Sequence, residues 1–547
     1  MAKTKKKPNF LAQGGILAIA GIISRIIGML YRIPLMNIIG ESGSGVYSAA
    51  YDIYNIMLLI SSYSLPMAVS KLVSARLSLK QFKNVRQVFL ISLLFGAALG
   101  LAAALLMFFG AGFLADRMMN TPRAVLAVQI LAPTVFIMGM LGVLRGFFQG
   151  HGTMIPTAIS QILEQIVHVG VSILAARILF NKAASLELSA ENMTPEAYGA
   201  AGATIGTGVG ALFALLFVGF CFVLYRKILD RRCAKDRTAS TEAPLGTLKI
   251  IFLTALPILT SAAIANLETL LDHAIFGAYM GEAQDLYETV WGAYSGKFIV
   301  LINVPIAIST ALAASTLPVI SSRMAVNDQD GALQKASAAI RFILLIALPA
   351  SVGLTVLGRP CLDLLFRSGN NELAGGLMTA GAFGVLGFCV SYVLVGVLQG
   401  GGYFWDPILN YVISLAIHVP LLLLCLFVFK WDIYAVAVCN MLYGFVSCLL
   451  HFRSLRRRFG YRQEIRRSIL LVLSASLIMG GTAFGLYKLF SALHLGNSVS
   501  LLGAIFLSVL VYFAAVFLLG ALGEEDLAEM PKGAAIAGLA RKLHLLR

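Results

Sequence analysis

Six ionisable side chains stand inside long apolar stretches: Arg25, Arg32, Asp52, Glu268, Asp272 and Lys297. Each costs about 2.5–3.5 kcal/mol at the centre of a bilayer on insertion scales, so each should face a cavity or a partner. Arg25 and Arg32 are seven residues apart, about 700° at 100° per residue, and share one helix face. A guanidinium offers phosphate oxygens a bidentate fork and an ammonium offers a point charge. Arg25, Arg32 and Lys297 therefore read as a clamp for a phosphate-bearing substrate. The alternatives are snorkelling for Arg32, and ion pairs with Asp52 or Asp272 that only hold helices together. Glu268 and Asp272, one turn apart, could bind a coupling cation or simply balance the cations. Glu164 and His168 form a similar pair, for which an interhelical hydrogen bond is the reading preferred to a proton relay. His418 has no evident partner. Tyr47, Tyr51, Tyr54, Tyr63, Trp291 and Tyr294 could stack on sugar rings, although aromatics near an interface more often form a belt.

The elements that must position these groups follow from composition. The chain has 547 residues, 59% hydrophobic and 12% charged, with a mean hydropathy of +0.86. Too few polar side chains remain to cover a water-soluble globule, which places the chain in a bilayer and leaves little room for a soluble catalytic domain. At about 20 apolar residues per span, the stretches between charged or turn-rich breaks give fourteen spans. They lie near 10–36, 45–69, 87–110, 124–145, 155–177, 199–225, 249–279, 289–316, 338–358, 376–400, 407–429, 433–452, 468–490 and 498–521. The apolar run behind the N-terminal lysines lacks a small-x-small cleavage site and reads as a retained first span. With both termini cytoplasmic, 31 of the 42 Lys and Arg fall on the cytoplasmic side, eight on the opposite side and three inside spans. That bias fixes the orientation and accounts for most of the +16 charge without nucleic acid. The seven cysteines are scattered without a C-x-x-C and read as small buried hydrophobes. Ser295-Gly296-Lys297 lacks the first glycine of a nucleotide-binding loop and lies in a span, so direct ATP coupling is not expected.

The halves repeat at an offset of 240 to 251. Leu144 to Gly152 (Leu-Arg-Gly-Phe-Phe-Gln-Gly-His-Gly) matches Leu394 to Gly402 (Leu-Val-Gly-Val-Leu-Gln-Gly-Gly-Gly), and Pro156 and Pro407 follow. Upstream, Gly40-Glu41 echoes Gly281-Glu282, and Tyr47, Tyr51 and Tyr54 echo Tyr287, Trp291 and Tyr294. Each copy holds six spans, so the two are parallel repeats, a transporter architecture with the substrate path between the halves. The expected organisation is a basic N-terminus (1–9), an N-lobe (10–225), a basic linker (226–248), a C-lobe (249–452), spans 13 and 14 with their basic loop (453–521) and a cytoplasmic tail (522–547). Duplication also predicts that the charges of spans 1, 2, 7 and 8 face one another. In the repeated Q-G-x-G elements, glycine suits a turn between helices ahead of direct ligand contact.

Ser24 to Arg32 (Ser-Arg-Ile-Ile-Gly-Met-Leu-Tyr-Arg), Tyr294 to Lys297, Leu317 to Ser321 and the paired Q-G-x-G elements resemble the lipid II flippase family of the MOP superfamily. Within it they are most similar to the stage V sporulation protein B-like, polysaccharide biosynthesis branch. The resemblance covers essentially the whole chain, including Glu525 to Gly533. It implies an all-α, V-shaped pair of six-helix lobes plus two C-terminal helices, working by alternating access with a cationic cavity lined by spans 1, 2, 7 and 8. The family's span 1 arginines carry over to Arg25 and Arg32, and its span 8 arginine to Lys297. Ile33 and Tyr47 stand where related flippases place aspartates, and Asp52, one turn beyond Tyr47, is the available substitute. Sodium-binding members use a span 7 carboxylate and span 11 polar groups, which match Asp272, Asn410 and Ser414.

The resulting expectation is a non-enzymatic flippase in a bacterial plasma membrane, probed by Arg25, Arg32, Lys297, Asp52 and Tyr47 on the substrate side. It would move an undecaprenyl-pyrophosphate-linked sugar precursor, above all lipid II, to the outer leaflet. No cofactor is expected beyond a coupling Na+ or H+ at Asp272, Glu268, Asn410 and Ser414, or the membrane potential. Its partners would be that lipid-linked oligosaccharide, membrane lipids and cell-wall synthesis proteins, with the chain acting as a monomer. Two alternatives stand beside it: a cation-coupled multidrug exporter, against which the three cations argue, and a non-transporting scaffold of a cell-wall synthesis complex.

Overall fold

The computed structural model describes residues 20–21, 23–63, 65–186, 193–236, 242–281, 283–324, 326–366, 369 and 371–522. The basic N-terminus, the first half of the expected span 10–36, the polar linker residues 237–241 and nearly all of the 522–547 tail lie outside the described residues. So does the side chain of Tyr63.

The described residues are helical and contain no strand. In chain order the α-helices are α1 (Arg32–Leu58), α2 (Leu65–Ser78), α3 (Phe82–Phe109), α4 (Val125–Gly150), α5 (Ile155–Ser185), α6 (Pro195–Ala234), α7 (Pro244–Met280) and α8 (Gln284–Ala293). They continue as α9 (Ile299–Met324), α10 (Gln329–Leu365), α11 (Asn371–Gly381), α12 (Gly384–Gly400), α13 (Trp405–Leu423), α14 (Ile433–Phe459), α15 (Leu471–Ala492) and α16 (Gly496–Leu518). Among the described residues, ten helical stretches are long and apolar enough to cross a bilayer, or eleven if α11 and α12, bent by 57°, form one span. Fourteen is thus not the number found. The expected span 10–36 is only partly described. Gly40 (φ 72), non-helical inside α1, falls between the expected spans 10–36 and 45–69, and a π-helical turn at Leu59–Tyr63 interrupts the second of them. The one at 249–279 is helical, but within α7 only Pro244–Thr254 counts as an apolar helix, short of a span. A second π turn, Tyr294–Phe298, joins α8 to α9 in the corresponding span of the other repeat.

Helix ends carry the signals that local chemistry requires. Proline opens α5, α6 and α7, where its missing N–H is no loss. Thr194 caps α6 by accepting from Ala197 N at 3.3 Å. Asp328 caps α10, accepting from Gly331 N at 2.9 Å and from Arg323 Nη1 at 2.7 Å. The Gly331 N–H and then the Arg323 guanidinium hold the Asp328 carboxyl below the usual carboxylate range. Because the carboxylate form is favoured in the folded state, the cap's contribution is complete above the ordinary pKa of 3.8 and is lost as pH falls through the lowered value. Amide exchange at residues 329–333 is therefore expected to quicken only below about pH 4. Asp328→Ala should show the fast rate at every pH, and identical pH profiles in parent and variant would refute the cap.

Contacts divide the chain into two compact units, Met1–Gly296 and Lys297–Arg547. The expected linker lies inside the first: Glu242 pairs with Arg76 at 2.9 Å, and its main chain bonds Asn84 at 3.2 Å and Gln87 at 2.5 Å. In that unit α5 and α6 meet along Gly202, Gly206 and Gly210, four residues apart. A Cβ at each would come within 2.6 Å of Ala175 O, His168 O and Glu164 O respectively. Small residues at this spacing let two backbones approach, which is how membrane helices associate without a hydrophobic driving force.

The repeated glycines do the same in both units. Cβ atoms at Gly146 and Gly150 would stand 2.6 and 2.9 Å from Pro66 O and Ser70 O of α2. At Gly396 and Gly400 they would stand 2.8 and 2.7 Å from Ala313 O and Leu317 O of α9. Gly152 and Gly402, both at positive φ, then make the turns. The bland reading of the Q-G-x-G elements describes what they do here. All seven cysteines are free, five of them buried.

Candidate functional site

Within the first unit, Arg32 opens α1 half-buried, with its guanidinium 5.9 Å from the centroid of the Tyr47 ring. Tyr47 and Tyr31 share a hydrogen bond between their hydroxyls. Tyr31 packs 4.8 Å from the His168 ring, His168 Nε2 lies 3.3 Å from Thr207 Oγ1, and Thr207 is 3.3 Å from the Tyr51 hydroxyl. A chain of phenols and hydroxyls thus runs from Arg32 to the seam between α5 and α6. Arg25 is exposed on the same stretch of chain.

Between the two arginines lies Gly28, three residues after Arg25 and four before Arg32, hence on their face. A Cβ there would stand 3.1 Å from Gln165 Oε1 of α5. The arginine face of span 1 therefore looks at Gln165. Among the described residues Gln165 Oε1, Gln161 Oε1 and Ser24 Oγ are buried without a hydrogen-bond partner. Buried acceptors are normally satisfied, so these are the groups that a ligand bearing hydroxyl or amide donors would complete. Sequence reading passed over both glutamines because uncharged amides do not stand out in an apolar run.

Asp52 is half-buried and accepts from His273 Nδ1 at 2.7 Å, so its bonded partner is an imidazole and not a span 1 arginine. His273 is completely buried and stacks on Trp291 at 4.2 Å and 26°. Of the aromatics singled out in the sequence, Tyr47, Tyr54, Trp291 and Tyr294 are interior, and Tyr47 to Tyr51, Tyr51 to Tyr54 and Trp291 to Tyr294 are 4.9, 5.5 and 5.2 Å apart. Glu268 and Asp272 are buried one turn apart on α7. Glu164 and His168 bond neighbouring helices rather than each other: Glu164 takes Arg145 at 2.7 Å while His168 takes Thr207.

A polar knot ties the Gly40 turn, the loop at 119–123 and the Gly281 turn. Arg123 Nη1 lies 3.0 Å from Glu288 Oε2 and 2.5 Å from Asp285 Oδ1, and Ser42 Oγ donates to Glu288 Oε2 at 3.0 Å. Asn120 Nδ2 donates to Gly277 O and Gly281 O at 3.0 and 2.7 Å, and Tyr287 donates to Met119 O at 3.0 Å. Here α1 and α8 cross backbone to backbone, where a Cβ at Gly45 would overlap Glu288 O and one at Gly292 would overlap Glu41 O.

In the second unit Lys297 is completely buried and donates to Asn371 Oδ1 at 2.7 Å beneath the Phe366 ring, 5.9 Å away. Asn371 in turn donates to Asp363 Oδ1 at 3.1 Å. Asn410 Nδ2 donates to Ser454 Oγ at 2.9 Å, and Ser414 Oγ donates back to Asn410 O at 2.8 Å. His418 Nδ1 meets Cys439 O at 3.2 Å.

A polytopic helical bundle carrying buried cations, duplicated glycine seams and no strand among its described residues has the fold of the MOP superfamily of transporters. A lipid II flippase MurJ in an inward closed conformation aligns at a TM-score of 0.64, with 15% identity over 91% of this chain and 97% of that one. An inward-facing multidrug resistance MATE transporter aligns at 0.62, with 15% identity over 81% and 98%. The chain belongs to the polysaccharide biosynthesis protein family, matched over residues 10–324. Its similar proteins in Bacillus subtilis (strain 168) include the membrane protein YabM, 25% identical over 98% of both chains. Stage V sporulation protein B is 29% identical over 58% of this chain and 59% of its own, and lipid II flippase MurJ is 25% identical over 85% and 86%. The relatives with a stated activity are flippases and transporters rather than catalysts.

Proposed function

We propose that this protein flips an undecaprenyl-pyrophosphate-linked sugar precursor, lipid II in the first instance, from the inner to the outer leaflet by alternating access. Arg25 and Arg32 hold the pyrophosphate as forked donors, while Gln161, Gln165 and Ser24 accept from the sugar hydroxyls and amides. The observation that carries this reading is the single face of span 1 that sets two arginines opposite the unpartnered Gln165 oxygen. The lipid tail stays in the bilayer, and the Gly40 and Gly281 turns form the outer end of the path, opposite the basic loops. Lys297, held by Asn371 in the second unit, supplies a further ammonium donor for phosphate. Glu268 and Asp272 seat the coupling cation, Na+ or H+, and a cation gradient or the membrane potential resets the cycle. The protein works as a monomer in a bacterial plasma membrane with both termini cytoplasmic.

A hydrogen bond to a charged group is worth about 1.5–3 kcal/mol. Arg32→Ala should therefore slow translocation of labelled lipid II in proteoliposomes by roughly ten- to a hundredfold. Arg25→Ala should act alike, and Gln165→Leu less severely. Unchanged flipping by Arg32→Ala at equal protein content would sink the clamp. Unchanged flipping in membranes lacking the protein altogether would favour a scaffold.

A further inference from the structure

A cavity of about 550 Å³ lies within the second unit, and none of the residues assigned to the proposed path lines it. Its walls come from α9, α10, the start of α15 and the turn that follows α16. That volume is of the size that holds a small ligand. Phe342, Leu345 and Val472 make part of its apolar lining, and Lys335 and Arg341 are among its polar residues. Arg341 Nη2 meets Glu464 Oε2 at 2.8 Å. Glu464 does not itself line the cavity and no other acidic residue does, so the charged side chains of the lining are cations. Independently of charge, Ser468 lines the cavity, is 4% exposed, and has an Oγ without a hydrogen-bond partner among the described residues. A buried hydroxyl is rarely left so.

We infer that this cavity binds an anionic membrane phospholipid from the leaflet facing the basic loops. The phosphate sits among Lys335, Arg341 and the Ser468 hydroxyl, and an acyl chain lies along Phe342, Leu345 and Val472. Three features select that occupant. Basic pockets between helices at the membrane surface suit anionic headgroups. The apolar wall suits a chain and not a free anion. The unpartnered hydroxyl supplies a donor aimed at a phosphate or ester oxygen. The inference is independent of which precursor the protein carries.

Native mass spectrometry of the full-length protein in detergent, with phosphatidylglycerol added, tests it. One phosphatidylglycerol should stay bound, and phosphatidylcholine with the same chains should not displace it. Removing one lysine beside an anionic headgroup should weaken retention about fivefold, so Lys335→Gln is expected to lower it by that factor. Val472→Phe fills the cavity with every charge intact and should expel the lipid. Inorganic phosphate at millimolar concentration should leave retention unchanged. Equal retention of the two lipids, parental retention by Lys335→Gln, or displacement by inorganic phosphate would each overturn the assignment. Should Val472→Phe fail to fold, Ser468→Ala replaces it, and parental retention by that variant would count against the site.

Discussion

Arg123→Ala is expected to open the knot at the Gly40 and Gly281 turns by about 3–5 kcal/mol, the usual cost of removing one partner from a buried ion pair. The magnitude rests on Glu288, whose side chain is 0% exposed and whose Oε1 has no partner among the described residues. Asp285 also meets Arg123, but its side chain is 83% exposed, and such contacts contribute about 0–1 kcal/mol. With Arg123 gone, Glu288 keeps only the Ser42 hydroxyl of its two side-chain partners. The carboxylate must then take up a proton or reach water, and either response loosens the crossing of α1 and α8. Labelling of Ser44→Cys, a buried position of α1 beside the crossing that makes no bond to Glu288, by a membrane-impermeant maleimide measures this and should accelerate sharply in Arg123→Ala. The double variant Arg123→Met with Glu288→Met should label slowly again, because an apolar pair of similar volume is often as stable as the buried ion pair it replaces. Equal labelling of Arg123→Ala and parent would show that the ion pair does not hold this end together.

Gly292→Ala is expected to prevent the same end from forming at all. The added carbon would overlap the carbonyl oxygen of Glu41, and its counterpart Gly45 has the same relation to Glu288 O. Overpacking that displaces side chains costs about 1–3 kcal/mol. Here the obstacle is backbone on both helices, which has no rotamer to change, so the cost lies at or beyond the upper end. Gly481 in α15 is the control, since a Cβ there meets nothing within 4 Å. Alanine gains about 0.8–1.0 kcal/mol over glycine in a helix interior, so Gly481→Ala should be neutral or stabilising. Thermal unfolding in detergent together with precursor flipping should separate the two: Gly292→Ala loses both and Gly481→Ala keeps both. Parental stability and flipping in Gly292→Ala would refute the backbone contact.

Hydropathy alone located most helices, because a bilayer demands long apolar runs and charged breaks between them. The repeated glycines were equally legible, since a close backbone approach admits hardly any other residue and the duplication printed the pattern twice. Residues such as Gly202, Gly206 and Gly210 follow the same rule but occur in one copy, so repetition did not mark them. The ionic partners were less accessible. Arg123 is one of the eight charges on the non-cytoplasmic side, of topological use only, and Glu288 stands at the edge of a span, where a carboxylate is ordinary. His273 carries the same signal as His168 and His418, an imidazole in an apolar helix, and stands directly beside Asp272, whose charge masks it. Asp52 could be recognised as needing a partner, while the choice of His273 over Arg32 depends on the rotation of α7 against α1. No local pattern encodes that rotation.

The π turn at Tyr294–Phe298 has a consequence for how that stretch tolerates change. One extra residue in a helical turn shifts everything beyond it by about 100° of phase. The aromatic stripe of Tyr287, Trp291 and Tyr294 and the residues that begin at Lys297 are thus two registers spliced into one rod. Deleting a single residue there would restore an ordinary helix on paper while turning Lys297 away from Asn371. Length, more than the identity of any one side chain, is the quantity this turn conserves.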